Sequence, residues 1–541
     1  MAEVKTWKGL SMMVALALVL ALAAVAVPMA GTVWAVLLPT EVWVNDDGPS
    51  CPAGTGSGTQ ADPYCKIQTA INNVAPGGTV HVYPGKYNEN IIIEKSLTLQ
   101  SVSGDWQDTI IDDIINEAEI TISGHVDVTV QGFEITAGAY GISIGEVLST
   151  VNILDCFIHD NLMDGIRVRS GGDVLNIERN IISQNGLADS ECGIYIDQAW
   201  NTTNIRDNII GAWTYYPKGS GSPQRYGGNG GEGIYIYQVG NTSMVEIEGN
   251  KISENAWVKA DTGIYINNVY GEVTIAGNDI GAWEDSHGGT YLGNMGQGIY
   301  VFWVYEGAVL TIGPDNRIRE NTDDGIEIYN AHPAGAATIT IYHNIIDING
   351  WHGIELGTPC EVDGATISYN TITYNLIGID MTGPSDHNII SDNEISNNAE
   401  GIRVEGYYNQ ILRNNILNNR GKGSGIDLGT TALGNIIHCN NIEGNLPYGV
   451  YNENVDEMVD ATSNWWGDAS GPSGAGPGSG DAVSENVNYS SWLSTEFQDC
   501  RECQGAPATA VPTVNDWGIA AMITLFAALL VWTVQRRRLA S

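Results

Sequence analysis

Asn344-Ile345-Ile346-Asp347-Ile348-Asn349-Gly350-Trp351-His352-Gly353-Ile354-Glu355-Leu356, with Ile341 just before it, holds three short apolar alternations separated by bends. Alternation with period two sends one side chain inward and the next outward. The template returns as Ile177…Asn180-Ile181-Ile182…Gly193-Ile194-Tyr195-Ile196 and as Ile367…Asn370-Thr371-Ile372…Gly378-Ile379-Asp380-Met381. Its closing Gly-Ile stands at 141, 165, 193, 233, 263, 298, 325, 353, 378, 401 and 425, with Gly-Val at 449. Intervals of 23 to 40 residues are too long for a coiled coil, and each repeat is too small for a domain. They suit a solenoid whose turns touch only their neighbours. The expected fold is all-β: parallel coils of three short strands around an Ile/Val/Leu interior.

An Asn marks the first bend of each coil, at 180, 208, 250, 278, 316, 344, 370, 393, 415 and 440. Asn tolerates left-handed backbone angles, and stacked amides can hydrogen-bond from coil to coil. A looser row follows at Asn185, Asn255, Asn321, Asn349, Asn375, Asn398 and Asn445. Both rows read as structural ladders, because a buried amide without a partner is costly.

The repeated Asn-x-Ile and Gly-Ile-x-Ile/Val signature resembles the right-handed parallel β-helix of the pectin-lyase superfamily, NosD-like repeat proteins included, over residues 41 to 495. Ile67, Ala70, Ile71 and Val74 lie at helical spacing and predict an N-terminal capping helix. Pro76 to Tyr87 resembles the first turn of many such proteins. Ala461-Thr462-Ser463-Asn464-Trp465-Trp466-Gly467 resembles the closing motif of bacterial β-helix surface proteins, its two Trp covering the last apolar layer. Gly471 to Gly480 reads as a mobile Gly/Pro/Ser loop.

The termini point to export. Lys5 and Lys8 precede the apolar run Leu10–Val27, and cleavage is expected after Ala35; a retained anchor is the alternative. Ile519–Val534 is a short apolar segment followed by Arg536, Arg537 and Arg538, which predicts one membrane span with a cytoplasmic tail. With Val511-Pro512-Thr513 and Trp517-Gly518 before it, the segment resembles the IPTL-CTERM type of bacterial sorting signal. That resemblance implies a membrane sorting enzyme as partner and display at the cell surface. The expected divisions are 1–35 signal peptide, 36–90 cap and first coil, 91–460 repeats, 461–505 C-terminal cap, 506–518 linker and sorting motif, and 519–541 span and tail. Cys51 and Cys65 flank a Gly-rich loop and are expected to bridge. Pairing of the other six cysteines stays open.

The formal net charge of −40 repels phosphate backbones, which argues against nucleic acid and suits hard cations. In Gly-Ile-x-Ile the residue x points outward, so stacking lines these residues up about 4.8 Å apart. The row reads Arg167, Tyr195, Tyr235, Tyr265, Tyr300, Glu327, Glu355, Asp380, Arg403, Asp427 and Tyr451. The tyrosine coils also carry long insertions with Trp213, Trp257 and Trp283. A flat aromatic track of these seven rings suits sugar faces, so the first expectation is a surface protein binding extracellular polysaccharide. Aromatic ladders also stabilise stacked strands without any ligand.

The acidic stretch gives a second expectation, a lyase or glycoside hydrolase acting on uronic-acid polymers. Adjacent acids raise one another's pKa, as acid/base chemistry requires. Glu327 with Glu355 matches a retaining spacing and Glu327 with Asp380 an inverting one. Calcium held by Glu327, Glu355 and Asp380 is an equal reading. Asn321-Thr322-Asp323-Asp324-Gly325 resembles the Asn-Thr-Asp-Gly motif of polygalacturonases, with one extra Asp. Three further motifs of that family are replaced here by Gly350-Trp351-His352-Gly353, Leu376-Ile377-Gly378 and Arg403-Val404-Glu405. A lyase would use Arg403, beside Asp380 and Asp427. The histidines, His352 among them, show no metal-ligand spacing. A non-enzymatic adhesin or structural surface protein is the third expectation.

Overall fold

The computed structural model describes residues 38–51, 55–113, 117–147, 149–186, 191–216, 222–256, 262–331, 337–357 and 360–498. The expected signal peptide, the sorting motif and the membrane segment lie outside these residues, as do Trp257, Cys500 and Cys503. Among the described residues no helix is long and apolar enough to cross a membrane.

Each coil contributes one strand to each of three parallel sheets. Thr338–Tyr342, Ile345–Asp347 and His352–Leu356 are the three strands of one coil. The sheets hold 17, 14 and 16 strands among the described residues, here the first, second and third sheet in coil order. The apolar alternation explains the core: Ile341, Ile346, Ile354 and Leu356 are fully buried, and every coil repeats the set. The Gly before each inward Ile is demanded by close approach of the next coil. A Cβ on Gly353 would lie 2.6 Å from the Gly378 carbonyl oxygen and 2.5 Å from Cγ2 of Ile372.

The asparagine ladders are continuous. Asn344 Nδ2 donates to Asn370 Oδ1 at 3.0 Å, and its own Oδ1 accepts from Asn316 at 2.9 Å. The rung after Asn393 is Asn414, not Asn415, whose side chain is exposed on the outer face. The second ladder is fuller than its sequence pattern: Asn229 and Asn294 join it from inside long insertions, Asn419 bridges Asn398 and Asn445, and Asn161 precedes Asn185. The left-handed residue is the one before the Asn: His343 has φ 52° and Ile348 φ 60°. The ladder Asn is thus chosen for its amide, and the strain falls on its neighbour.

At one end Ile67–Asn73 is helical, with Ile67, Ala70 and Ile71 in the core, and both Glu89 carboxylate oxygens accept from its first N–H groups at 2.7 and 3.1 Å. Cys51 and Cys65 form a disulfide with Cα atoms 5.8 Å apart, and Cys439 is also disulfide-bonded. At the other end Trp466 is wholly buried while Trp465 is half-buried. The stretch expected to be a mobile loop contains Pro472–Gly474 and the start of Gly480–Val483, which pair with each other and continue the third sheet. Backbone pairing at the open end outweighs the glycine content there.

Candidate functional site

The outward row on the third sheet holds its register through every coil. Arg167 pairs with Tyr195, then Tyr235, Tyr265, Tyr300, Glu327, Glu355, Asp380, Arg403, Asp427 and Tyr451 follow. The row therefore places an aromatic segment and a charged segment on one wall.

The aromatic segment spends its rings on itself. Tyr195 stacks on Tyr235 at 5.0 Å, Tyr235 meets Tyr265 edge-on at 4.9 Å, and Tyr265 meets Tyr300 at 4.9 Å. The Arg167 guanidinium covers the open face of Tyr195, 4.2 Å from its centroid. The tryptophans do not extend this row. Trp213 lies on a hairpin (Trp213–Tyr215 with Gln224–Tyr226) packed against Trp106 and against Phe157 of the second sheet. Trp283 is 8% exposed, stacked on Tyr291 and covered by Lys251. Each of these two tryptophans packs with its own insertion, apart from the tyrosine row.

The charged segment opens into a pocket of about 570 Å³ lined by Asp323, Asp324, Glu327, His352, Glu355, Asp380 and Arg403, with Trp351 and Met295 on its rim. His352 is its centre. Nδ1 lies 3.0 Å from Asp324 Oδ1 and 3.1 Å from Glu355 Oε2, and Nε2 lies 3.4 Å from Asp380 Oδ2. Asp324 Oδ1 also accepts the His352 backbone N–H at 2.7 Å, which ties the two coils at this point. Burial opposes charge on His352, but the bonds to Asp324 and Glu355 win and push its pKa up to about 10. Burial pushes Asp324 up to about 6 against the pull of His352, and Asp380 up to about 6 against His352 and Arg403. Burial, then the Glu355 charge, pushes Glu327 up to about 8, although Gln297 Nε2 donates to it at 2.7 Å. Asp323 is raised by burial and by Glu355.

Arg403, the residue a lyase would use, is held by carboxylates. Glu400 clasps it with two bonds, of 3.0 and 2.6 Å, and Asp380 Oδ2 stands 3.7 Å from its NH1. Burial works against its charge, yet these carboxylates hold it still more firmly cationic. The three carboxylates expected to hold calcium line one pocket but have different neighbours. Glu355 groups with Asp324 and His352, whereas Glu327 turns to Gln297 and Asp380 to His352 and Arg403. An imidazole thus enters where three carboxylates were expected.

The family model described as "right handed beta helix region" matches residues 102–280, 224–363 and 315–465. The chain belongs to the right-handed β-helix family. A search of the curated proteins gives no match. Among solved structures, this β-helix protein is similar to the mannuronan C-5 epimerase AlgE4 A-module of Azotobacter vinelandii, at 14% identity, TM-score 0.38, over 63% of this chain and 93% of that one. The catalytic unit of a GH87 α-1,3-glucanase from Streptomyces thermodiastaticus gives 15% identity, TM-score 0.39, over 83% and 68%. ORF18 of Geobacillus virus E2 gives 15% identity and TM-score 0.35, the chain spanning 58% of its length.

His352 and Trp351 line this β-helix site but lie off the outward row, and neither was among the candidate site residues. His352 precedes Gly353, as Asp324 precedes Gly325 and Glu400 precedes Gly401. Asp324 and His352 enter the pocket from this position, beside the x row, whereas the coil between His352 and Glu400 carries Ile377 there. Trp351, 54% exposed, stands one residue earlier, its ring edge-on to His352 at 5.6 Å.

Proposed function

We propose that the pocket on the third sheet binds and hydrolyses a polysaccharide of neutral sugars, by acid–base catalysis. The observation that carries this reading is the placing of Glu327 and Asp380 two coils apart in one pocket beneath the exposed Trp351. Two coil steps of about 4.8 Å put the carboxyls near the separation that leaves room for a water, as inverting glycosidases require. Glu327, kept protonated by burial and by Glu355, is the donor to the glycosidic oxygen. Asp380, ion-paired with His352 and Arg403 through Oδ2 and lining the pocket, takes the proton of the attacking water. The apolar face of Trp351 supports a sugar ring. Both cations of the pocket are already held by carboxylates, and the chain carries −40, so a uronate polymer is the poorer fit. The character of the two termini favours action outside the cytoplasm, at the cell surface.

The test is incubation of the protein with neutral glucans, xylans and mannans beside pectate and alginate. Reducing ends should appear from a neutral glycan, and fall at least about 100-fold in Glu327→Gln and in Asp380→Asn. Unsaturated products from pectate or alginate would replace hydrolysis by elimination. No product from any substrate, or variants as active as the parent, would remove the proposal.

A further inference from the structure

The same pocket holds an arrangement that acid–base hydrolysis does not need. Asp324 Oδ1, His352 Nδ1 and Glu355 Oε2 all lie within 4.8 Å of one another. The two edges at Nδ1 measure 3.0 and 3.1 Å. A metal about 2.1 Å from each ligand atom gives ligand–ligand edges of about 3.0 to 3.4 Å. Two edges of the set are thus already spaced as in a coordination shell, and the third is no longer than 4.8 Å.

We propose that Asp324, His352 and Glu355 bind one divalent first-row transition metal, of which zinc and manganese are the probes. Three features support it beyond the clustering of acids. First, the other ring nitrogen meets a carboxylate outside the set: Nε2 lies 3.4 Å from Asp380 Oδ2, an ion-pair contact that leaves Nδ1 facing Asp324 and Glu355. Second, Asp380 is 2% exposed and its Oδ1 has no hydrogen-bond partner. A carboxylate oxygen buried beside the cluster without a donor is an unmet charge, which a cation in the pocket that Asp380 lines offsets. Third, three protein ligands leave positions open to the pocket, as in metal sites that meet a water or a substrate. An imidazole nitrogen with two carboxylate oxygens selects a borderline transition metal. Calcium, which takes six to eight oxygens, is the poorer occupant. Binding replaces the proton on Nδ1, which leaves to solvent, while the proton on Nε2 stays with Asp380.

The site does not depend on the glycan reading, and its test does not use activity. The full chain, stripped with chelator, is dialysed against Zn²⁺ or Mn²⁺ in excess Ca²⁺, and bound metal is counted. The excess Ca²⁺ occupies the acidic surface, which otherwise collects cations unspecifically. One equivalent per chain should remain, with proton release on addition of Zn²⁺. His352→Gln should lose it, and Asp324→Asn should weaken it at least tenfold. Asp380→Asn, which touches no ligand position, should weaken it by roughly 10–100-fold. Circular dichroism checks that each variant is folded, and the Asp324 and Asp380 variants carry the test if His352→Gln is not. No stoichiometric metal in the parent, or retention unchanged in the folded variants, overturns the site. Metal bound without glycan cleavage would sink the hydrolase reading alone, and glycan cleavage by a chain that retains no stoichiometric metal in the dialysis would sink the metal site alone.

Discussion

His352 was passed over in the sequence because metal and catalytic histidines are sought at fixed chain spacing, and its partners stand 28 residues before it and 28 after it. Coil stacking turns those distances into contacts of 3.0 and 3.4 Å. Glu327, Glu355 and Asp380 were legible because they share one repeat position; which carboxylate faces which cation was not, since that depends on the bend before each Gly. Trp351 belongs to the same lesson. Its ring is 54% exposed beside the pocket, whereas the tyrosines that looked like a platform close on one another. Trp351→Ala should therefore weaken binding of the responsive glycan about tenfold, or about 1.4 kcal/mol, with little change in thermal midpoint. Isothermal titration on an inactive Glu327→Gln background reads the first and a melting curve the second. Equal affinity in both proteins would remove Trp351 from the binding surface.

At the level of the coil, two costs are balanced against each other. The ladder asparagines satisfy the turn carbonyls and one another, and the residue before each accepts a left-handed backbone. The Asn349 side chain accepts two bonds at Oδ1, from the N–H and the Nδ2 of Asn321, and gives two from Nδ2, to the Ile318 carbonyl and to Asn375 Oδ1. Asn349→Ala leaves buried groups without partners and should cost about 2–4 kcal/mol. Because a solenoid turn touches only its neighbours, faster hydrogen exchange should be confined to the coils on either side. Exchange raised evenly along the chain would contradict that locality. Ile348 bears the opposite burden, a β-branched, 44% exposed residue at φ 60°. Ile348→Asn should raise stability by about 1 kcal/mol, read from denaturant midpoints. The sequence showed the asparagine pattern but not who holds the strained angle. It also slipped by one at 414, where two asparagines stand side by side and only backbone geometry tells inside from outside.

Over the whole molecule, many carboxylates sit on or under stacked sheets, and their burial links folding to pH. Glu119 is fully buried and accepts the Asp113 N–H at both oxygens. Burial, and then the charges of Asp113 and Asp112, outweigh that hydrogen bonding and push its pKa up to about 8. The folded chain thus keeps a proton that the unfolded chain loses near the usual glutamate value. Stability should fall as pH rises from about 5 to about 8, with a slope of at most about 1.4 kcal/mol per pH unit from this group. Glu119→Gln should flatten the slope of denaturant midpoint against pH over that window, and an unchanged slope would show that the residue does not carry it. The sequence by itself determined the coil: strand period, inward Ile, Gly at each close approach and the outward row all follow from local alternation repeated at a near-constant interval. Only the tertiary structure decided the site, because a side chain at a bend takes its direction from the turn of the chain, and its partners come from coils whose separation along the sequence varies with every insertion.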